Sequence, residues 1–179
     1  MSTQTYQLDS AHSAARFSVR HMMISRVHGE FTTLSGSLQF NPDTHEESKV
    51  DVEIDAASIT THQADRDAHL KTADFLDTAQ FPKITFVSTG VTKSSADEGT
   101  LTGDLTLHGV TKTVTLKVEG ATQDTKDPWG NLRLGFTAQT RIKRSEFGLT
   151  YNAALEAGGV LVGDDVDITL DVQFVRPAA

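Results

Sequence analysis

Residues 165–174 read DVDITLDVQF, and this stretch decides the fold. Apolar residues occupy every second position, and aspartate, threonine or glutamine fills the positions between them. Successive side chains of an extended strand point to opposite faces. The period of two therefore predicts a strand with one dry face and one wet face.

The same alternation recurs in residues 34–40, 50–54, 84–86, 101–107, 114–118 and 132–142. Threonine, valine and isoleucine contribute 24, 14 and 6 of the 179 residues, and such β-branched residues favour strands. Short turn signals such as Asn41-Pro42-Asp43 and His108-Gly109 separate the runs. Eight or nine strands with short connections predict an antiparallel sheet, folded either as a sandwich or as a closed barrel.

Two segments interrupt the β pattern. Residues 61–77 read THQADRDAHLKTADFLD and are rich in alanine, leucine and charged residues. Leu70, Ala73 and Leu76 would give this segment an apolar face, so we predict a helical insertion between the fourth and fifth strands. Residues 145–163 are apolar and end in glycines, and we interpret them as a mobile flap or short helix beside an opening.

Charge and composition exclude several classes of function. The chain has 16 basic and 24 acidic residues, and its net charge of −8 argues against nucleic-acid binding, which requires a basic surface. It has no cysteine, which excludes disulfides, zinc–thiolate sites and thiol catalysis. We find no apolar stretch of membrane-span length and no secretory signal. We therefore expect one soluble domain over residues 1–179, located in the cytoplasm.

The sequence carries none of the common catalytic motifs: GxSxG, P-loop, GxGxxG and HExxH are all absent. His62, Asp65 and His69 would share one face of a helix, but their spacing matches no recognised metal site. We therefore expect no catalytic residue, no metal and no cofactor. A small-molecule enzyme or a metal-binding protein that uses His21 or His69 is the alternative.

The apolar residues include nine phenylalanines but only one tryptophan and two tyrosines. Phenylalanine has no polar group, so a cavity lined by it suits an aliphatic or prenyl chain. An eight-stranded barrel can equally be filled by its own side chains, which leaves open a structural, stress-related domain with a packed core. Near the insertion, Arg66 and Asp67 either tie the helix to the barrel or anchor an anionic head group.

Nine short motifs stand in order along the chain: 9–13 (DSAHS), 17–23 (FSVRHMM), 27–31 (VHGEF), 58–61 (SITT), 66–77 (RDAHLKTADFLD), 81–86 (FPKITF), 103–112 (GDLTLHGVTK), 144–148 (RSEFG) and 162–166 (VGDDV). Together they resemble the YceI-like family of polyisoprenoid-binding proteins. The resemblance covers roughly residues 5–175. The resemblance rests on the order and the number of the motifs, because each single motif is short.

The resemblance implies a single antiparallel eight-stranded β-barrel of lipocalin-like shape with a short helical insertion. It implies an elongated apolar tunnel for a long-chain isoprenoid or related amphiphile, and binding, transport or storage rather than catalysis. It implies no obligatory metal, and we expect a homodimer because dimers are common in such a family. Many members carry a secretory signal, and this sequence differs from them in that respect.

We predict an apolar wall for this tunnel, formed by Phe17, Val19, Phe31, Phe40, Ile54, Phe75, Phe86, Leu107, Phe136 and Ile142. We place Arg66, His69 and Lys71 at its mouth, where they would meet the polar end of the ligand. The face shared by Phe17 and Val19 looks either inward or toward a dimer partner.

Overall fold

The computed structural model describes residues 2–120, 124–156 and 158–177. The strands are β1 (Gln4–Leu8), β2 (Ala14–His21), β3 (Ser25–Phe31), β4 (Leu34–Phe40), β5 (Lys49–Asp55), β6 (Ile59–Thr60), β7 (Lys83–Lys93), β8 (Glu98–Leu107), β9 (Val110–Gly120), β10 (Thr125–Lys126), β11 (Leu132–Lys143) and β12 (Val162–Arg176). Helix α1 spans Ala64–Leu70. Single 3-10 turns occur at Ser10–His12, His45–Glu47, Ala56–Ser58 and Arg144–Phe147.

Eight of the strands form a closed antiparallel ring in the order β1, β4, β5, β7, β8, β9, β11 and β12. The ladder between β11 and β12 closes the ring, and it runs from the pair Leu132 and Arg176 to the pair Lys143 and Asp165. This architecture confirms the predicted mainly β fold, a closed eight-stranded antiparallel barrel with a short helical insertion. The alternating stretch 165–174 lies within β12, which is 15 residues long.

Strand β12 changes its partner on one side along its length, and this change gives the barrel two different ends. Near Phe174 it pairs with β1, whereas between Asp171 and Val162 it pairs with β2. Strand β2 pairs with β3, and β3 pairs with β6, where this branch of the sheet stops. Among the described residues no ladder joins β6 to β7, so the wall is interrupted at this end.

The helical insertion follows β6, against which α1 packs. It separates the sixth and seventh strands, not the fourth and fifth as predicted, because the sequence pattern did not reveal short strands such as β6. The α-helix has only seven residues within the predicted segment 61–77, and residues 71–81 continue as a series of turns. None of the described helices is long and apolar enough to cross a bilayer.

Large side chains fill the end of the barrel where β1 and β4 lie. Phe174 is fully buried and stacks on Phe136 with ring centroids 5.8 Å apart. Tyr6 is 1% exposed, and its hydroxyl donates to a carboxylate oxygen of Asp124 at 2.7 Å. This packed end also contains Leu34, Leu38, Phe40, Val50, Leu101 and Leu134.

Two strand glycines make room for aromatic rings. A Cβ atom at Gly29 would lie 2.3 Å from Cζ of Phe17, and one at Gly103 would lie 2.5 Å from Cζ of Phe86. Each ring therefore lies over the glycine of a neighbouring strand, an arrangement in which an aromatic side chain covers the missing one. Because both rings lie against the wall, they leave space along the axis of the barrel.

We predict that Phe174→Ala lowers the free energy of unfolding by about 3–5 kcal/mol, because it removes a fully buried ring from a packed core. Urea denaturation followed by circular dichroism measures this change. Trp129→Ala is the matched control. This aromatic side chain is 79% exposed, and its loss should change stability by less than about 0.5 kcal/mol. Equal effects of the two substitutions would contradict the assignment of this end as the packed one.

Candidate functional site

The end of the barrel opposite the packed core is hollow. A cavity of about 190 Å³ lies between β2, β7, β11 and β12 and extends to the helical insertion. Its lining consists almost entirely of apolar side chains. For comparison, an engineered protein cavity of about 150 Å³ stays dry and binds benzene. The cavity therefore suits an apolar group of that size or larger.

The cavity wall contains eight of the ten residues predicted for it: Phe17, Val19, Phe31, Ile54, Phe75, Phe86, Leu107 and Ile142. The face of β2 that carries the first two of these thus looks into the cavity. Phe40 and Phe136 lie instead at the packed end, where they border a separate pocket of about 80 Å³. Alternation places a side chain on the inner face of a strand but does not give its height along the barrel axis.

The predicted mouth residues Arg66, His69 and Lys71 lie in or next to α1, and in the described part of the chain none of them lines the cavity. Arg66 donates from Nε to Oγ1 of Thr61 at 2.7 Å and from Nη2 to the Thr61 carbonyl at 2.8 Å. Asp67 accepts from the Thr61 backbone N–H at 2.8 Å. Burial alone would raise the pKa of Asp67, but hydrogen bonds from the hydroxyl and the backbone N–H of Thr61 outweigh burial and lower that pKa. Arg66 and Asp67 thus fasten α1 to the end of β6.

Three rings form the edge of the cavity beside the insertion, and we call them the rim cluster: His69, Phe75 and Tyr151. The ring centroid of His69 lies 5.1 Å from that of Phe75 and 5.2 Å from that of Tyr151, and the centroids of Phe75 and Tyr151 lie 5.0 Å apart. Nε2 of His69 lies 2.9 Å from a carboxylate oxygen of Asp74, and the imidazole is 43% exposed. Because Phe75 also lines the cavity, the rim cluster joins an apolar interior to polar atoms at the surface.

Arg144 is the buried charge of this region, with an exposure of 6%. Its guanidinium donates from Nε to the Gly163 carbonyl at 2.8 Å, from Nη1 to Leu149 at 2.7 Å and from Nη2 to Val162 at 3.2 Å. Burial lowers the pKa of this guanidinium. Since the three carbonyls lie at the two ends of one loop, Arg144 holds the base of that loop together beside the cavity.

Two further polar side chains fix the same loop. Asp164 accepts from the backbone N–H of Ser145 at 2.9 Å and from its hydroxyl at 2.8 Å. Asn152 donates from Nδ2 to the Val162 carbonyl at 2.8 Å and accepts from the Val162 N–H at 3.0 Å. The segment predicted as a flap or short helix is thus a single 3-10 turn followed by an anchored loop, in which Ala157 lies outside the described residues.

Some parts of the site were not predicted from the sequence. Leu76 and Leu149 line the cavity from irregular segments, where no period marks the inner face. Arg144 stands in the motif 144–148, but its three acceptors are backbone carbonyls, which carry no sequence signature. Tyr151 follows no pattern that would place it beside His69.

The described histidines do not belong to any group of three possible metal-ligand side chains. Within residues 2–120, 124–156 and 158–177, no three His, Asp or Glu side chains are arranged to hold a metal ion. His62 precedes α1 and has a φ of 63°, so it does not share a helix face with Asp65 and His69. His21 ends β2, pairs with Ser25, and is not among the residues that line the cavity.

These features define a class of protein: a closed antiparallel β-barrel with one packed end and one end that encloses an apolar cavity. Comparison with known proteins then gives the family. A family model described as the YceI-like domain matches residues 6–174. The chain belongs to the YceI-like family.

Relatives and solved structures agree with this assignment. Protein YceI of Escherichia coli O157:H7 is 39% identical over 173 residues, which cover 96% of this chain and 86% of the relative. The Campylobacter jejuni YCEI protein has 31% identity and a TM-score of 0.74, covering 89% of this chain and 90% of that one. A polyisoprenoid binding domain from Saccharophagus degradans shares the fold, with a TM-score of 0.70 at 16% identity over 96% and 98% of the two chains.

We predict that Arg144→Lys lowers the free energy of unfolding by about 2–4 kcal/mol. A lysine ammonium lacks the planar fork of arginine, and each buried carbonyl left without a donor costs about 1–3 kcal/mol. Arg141→Lys is the matched control, because Arg141 pairs with Asp167 at the surface and the change should cost less than about 1 kcal/mol. Guanidinium chloride denaturation compares the two variants. If they lost equal stability, the structural role given to Arg144 would be wrong.

Proposed function

We propose that this protein binds a long-chain isoprenoid or a similar amphiphile in its apolar cavity, for transport, storage or sequestration, and that it is not an enzyme. The observation that carries the proposal is the hollow, apolar end of a barrel whose other end is packed. Membership of the YceI-like family supports it. The shared fold of a protein described as a polyisoprenoid binding domain is in line with it.

The energetics of such binding follow from the lining. Each buried CH₂ group of a ligand contributes about 0.8 kcal/mol, so a few isoprene units supply enough to offset the entropy lost on association. One methylene more or less changes affinity only modestly in an apolar site. We therefore expect tolerance of chain length rather than selection of one ligand.

The polar end of the ligand would lie outside the cavity, at the rim cluster. The lining offers few polar atoms, and the guanidinium of Arg144 is already engaged by three carbonyls. His69, Asp74 and Tyr151 stand at the edge and combine hydrogen-bonding groups with ring surface. In this proposal Arg66 supports the rim by fixing α1 and does not contact the ligand.

The alternatives receive less support. An enzyme that uses His21 would need this residue beside the bound molecule, yet it does not line the cavity. His69 would meet only the polar end of the ligand, and chemical recovery of the ligand, described below, distinguishes such an enzyme from a binding protein. A structural domain with a filled core accounts for the packed end but not for the hollow one. The homodimer and the cytoplasmic location stay predictions, and light scattering together with cell fractionation measures them.

We expect native mass spectrometry of freshly purified protein to show a discrete added mass, released by solvent extraction as a prenyl or other long-chain amphiphile.

The affinity for such a ligand can be measured by letting geranylgeraniol displace a bound fluorescent dye, N-phenyl-1-naphthylamine. Val166→Phe should weaken this binding about tenfold or more, because the added ring occupies space that at least two CH₂ groups would fill.

Val91→Phe is the matched control, since Val91 borders the small pocket at the packed end and makes no contribution to the large cavity. It should leave geranylgeraniol binding unchanged. If both variants bind like the parent protein, the large cavity is not the binding site. If geranylgeraniol is recovered chemically altered after incubation, the protein acts as an enzyme and the proposal fails.

A further inference from the structure

The turn between β2 and β3 exposes an unusual amount of apolar surface. Met22, Met23 and Ile24 are consecutive and are 42%, 52% and 80% exposed. Val160 from the loop beside them is 40% exposed. Single exposed apolar residues are ordinary, but a contiguous cluster marks a surface that contacts another apolar phase.

The backbone of the turn is as unusual as its side chains. Met22 and Met23 have φ values of 52° and 63°, and the Ile24 N–H donates to the His21 carbonyl at 3.2 Å. Hairpin turns in which both central residues have positive φ strongly favour asparagine and glycine. Methionine at both positions costs conformational energy and exposes apolar area. The turn therefore lowers stability through backbone strain and also leaves apolar surface in water.

The turn continues directly from the hollow end of the barrel. The Met22 N–H donates to the Leu161 carbonyl at 2.8 Å, and the next residue along the chain, Val162, lines the cavity. Val19, three residues before the turn, lines it as well. A Cβ atom on Gly159 would lie 3.0 Å from Cγ of Met23, so the glycine lets the loop of Val160 pack closely against the turn.

We infer that residues 22–24, together with Val160, dock this end of the barrel on the surface of a lipid bilayer, where the cavity exchanges its ligand. The inference rests on the proposed function, since an apolar chain that enters the cavity resides in membranes. The side chains would insert at the boundary between head groups and acyl chains, where the flexible methionine side chain adapts readily to an irregular environment.

A bilayer fits this surface better than a protein partner does. Stable protein interfaces use about 20–30 residues on each side, whereas this patch has four apolar side chains at the tip of a hairpin. The net charge of −8 disfavours adhesion to an anionic surface, so apolar insertion must supply the attraction. Arg20 is exposed beside the turn, and its Nη1 donates to the Met23 carbonyl at 3.5 Å, so its guanidinium suits contact with lipid phosphate groups.

The test is co-sedimentation of the full chain with phosphatidylcholine vesicles. Ile24→Ser should lower the fraction of protein bound by about tenfold or more, because it removes the most exposed apolar side chain of the patch. Val87→Ser is the matched control. Val87 is 49% exposed on the outer face of β7, away from the turn, and its replacement should leave vesicle binding unchanged.

A second variant separates docking from folding. Met22→Asn combined with Met23→Gly gives the turn its preferred residues, so it should be at least as stable as the parent protein and yet bind vesicles poorly. Both turn variants should bind geranylgeraniol in detergent-free solution like the parent, because neither changes the cavity.

The outcomes distinguish this inference from the proposed function. Val166→Phe should still bind vesicles even though it binds geranylgeraniol weakly. If the parent protein does not bind phosphatidylcholine vesicles, or if the turn variants bind them equally well, the docking inference is overturned while the ligand proposal stands. If the turn variants instead change a dimer into a monomer in sedimentation velocity, the patch is a protein interface.

Discussion

The structure depends on the closure of the barrel by β12. This strand forms an unbroken ladder with β11 on one side and divides its other side between β1 and β2. Closure removes the free edges that an open sheet would expose, and it sets an interior that eight strands make just wide enough to fill or to leave hollow. The change of partner from β1 to β2 decides which of these two occurs at each end.

Around β1 the ring is complete, and Phe174, Phe136 and Tyr6 fill most of its interior beside the small pocket of about 80 Å³. Around β2 the sheet branches outward and stops at β6, so that end needs the helical insertion as a cover. A cover made of turns and one short helix has few ladder hydrogen bonds, and polar side chains hold it instead. Arg66 and Asp67 fasten α1, while Arg144 holds the base of the loop on the facing side. The opening of the cavity therefore lies among the least regular parts of the chain.

Most of the fold could be predicted from the sequence, because the period of two is a local property. It identified β12, β11 and most of the ring, and a run rich in alanine, leucine and charged residues identified the insertion. Height along the barrel is not local, and for that reason Phe40 and Phe136 were assigned to the same wall as Phe17 and Phe86. The role of Arg144 could not be predicted either. Its partners are backbone carbonyls as far as 19 residues away, and a residue of any type has such a carbonyl.

A hollow end is costly for a small domain, because side chains that border empty space lose the contacts that packing would provide. Two details show how this barrel keeps the space open. Gly29 and Gly103 let the rings of Phe17 and Phe86 lie against the wall. Arg144 borders the cavity, but backbone oxygens satisfy its buried charge. The methionines of the β2–β3 turn add strain and exposed apolar surface at the same end. The features that lower stability thus lie around the cavity, as expected where a protein gives up stability for binding.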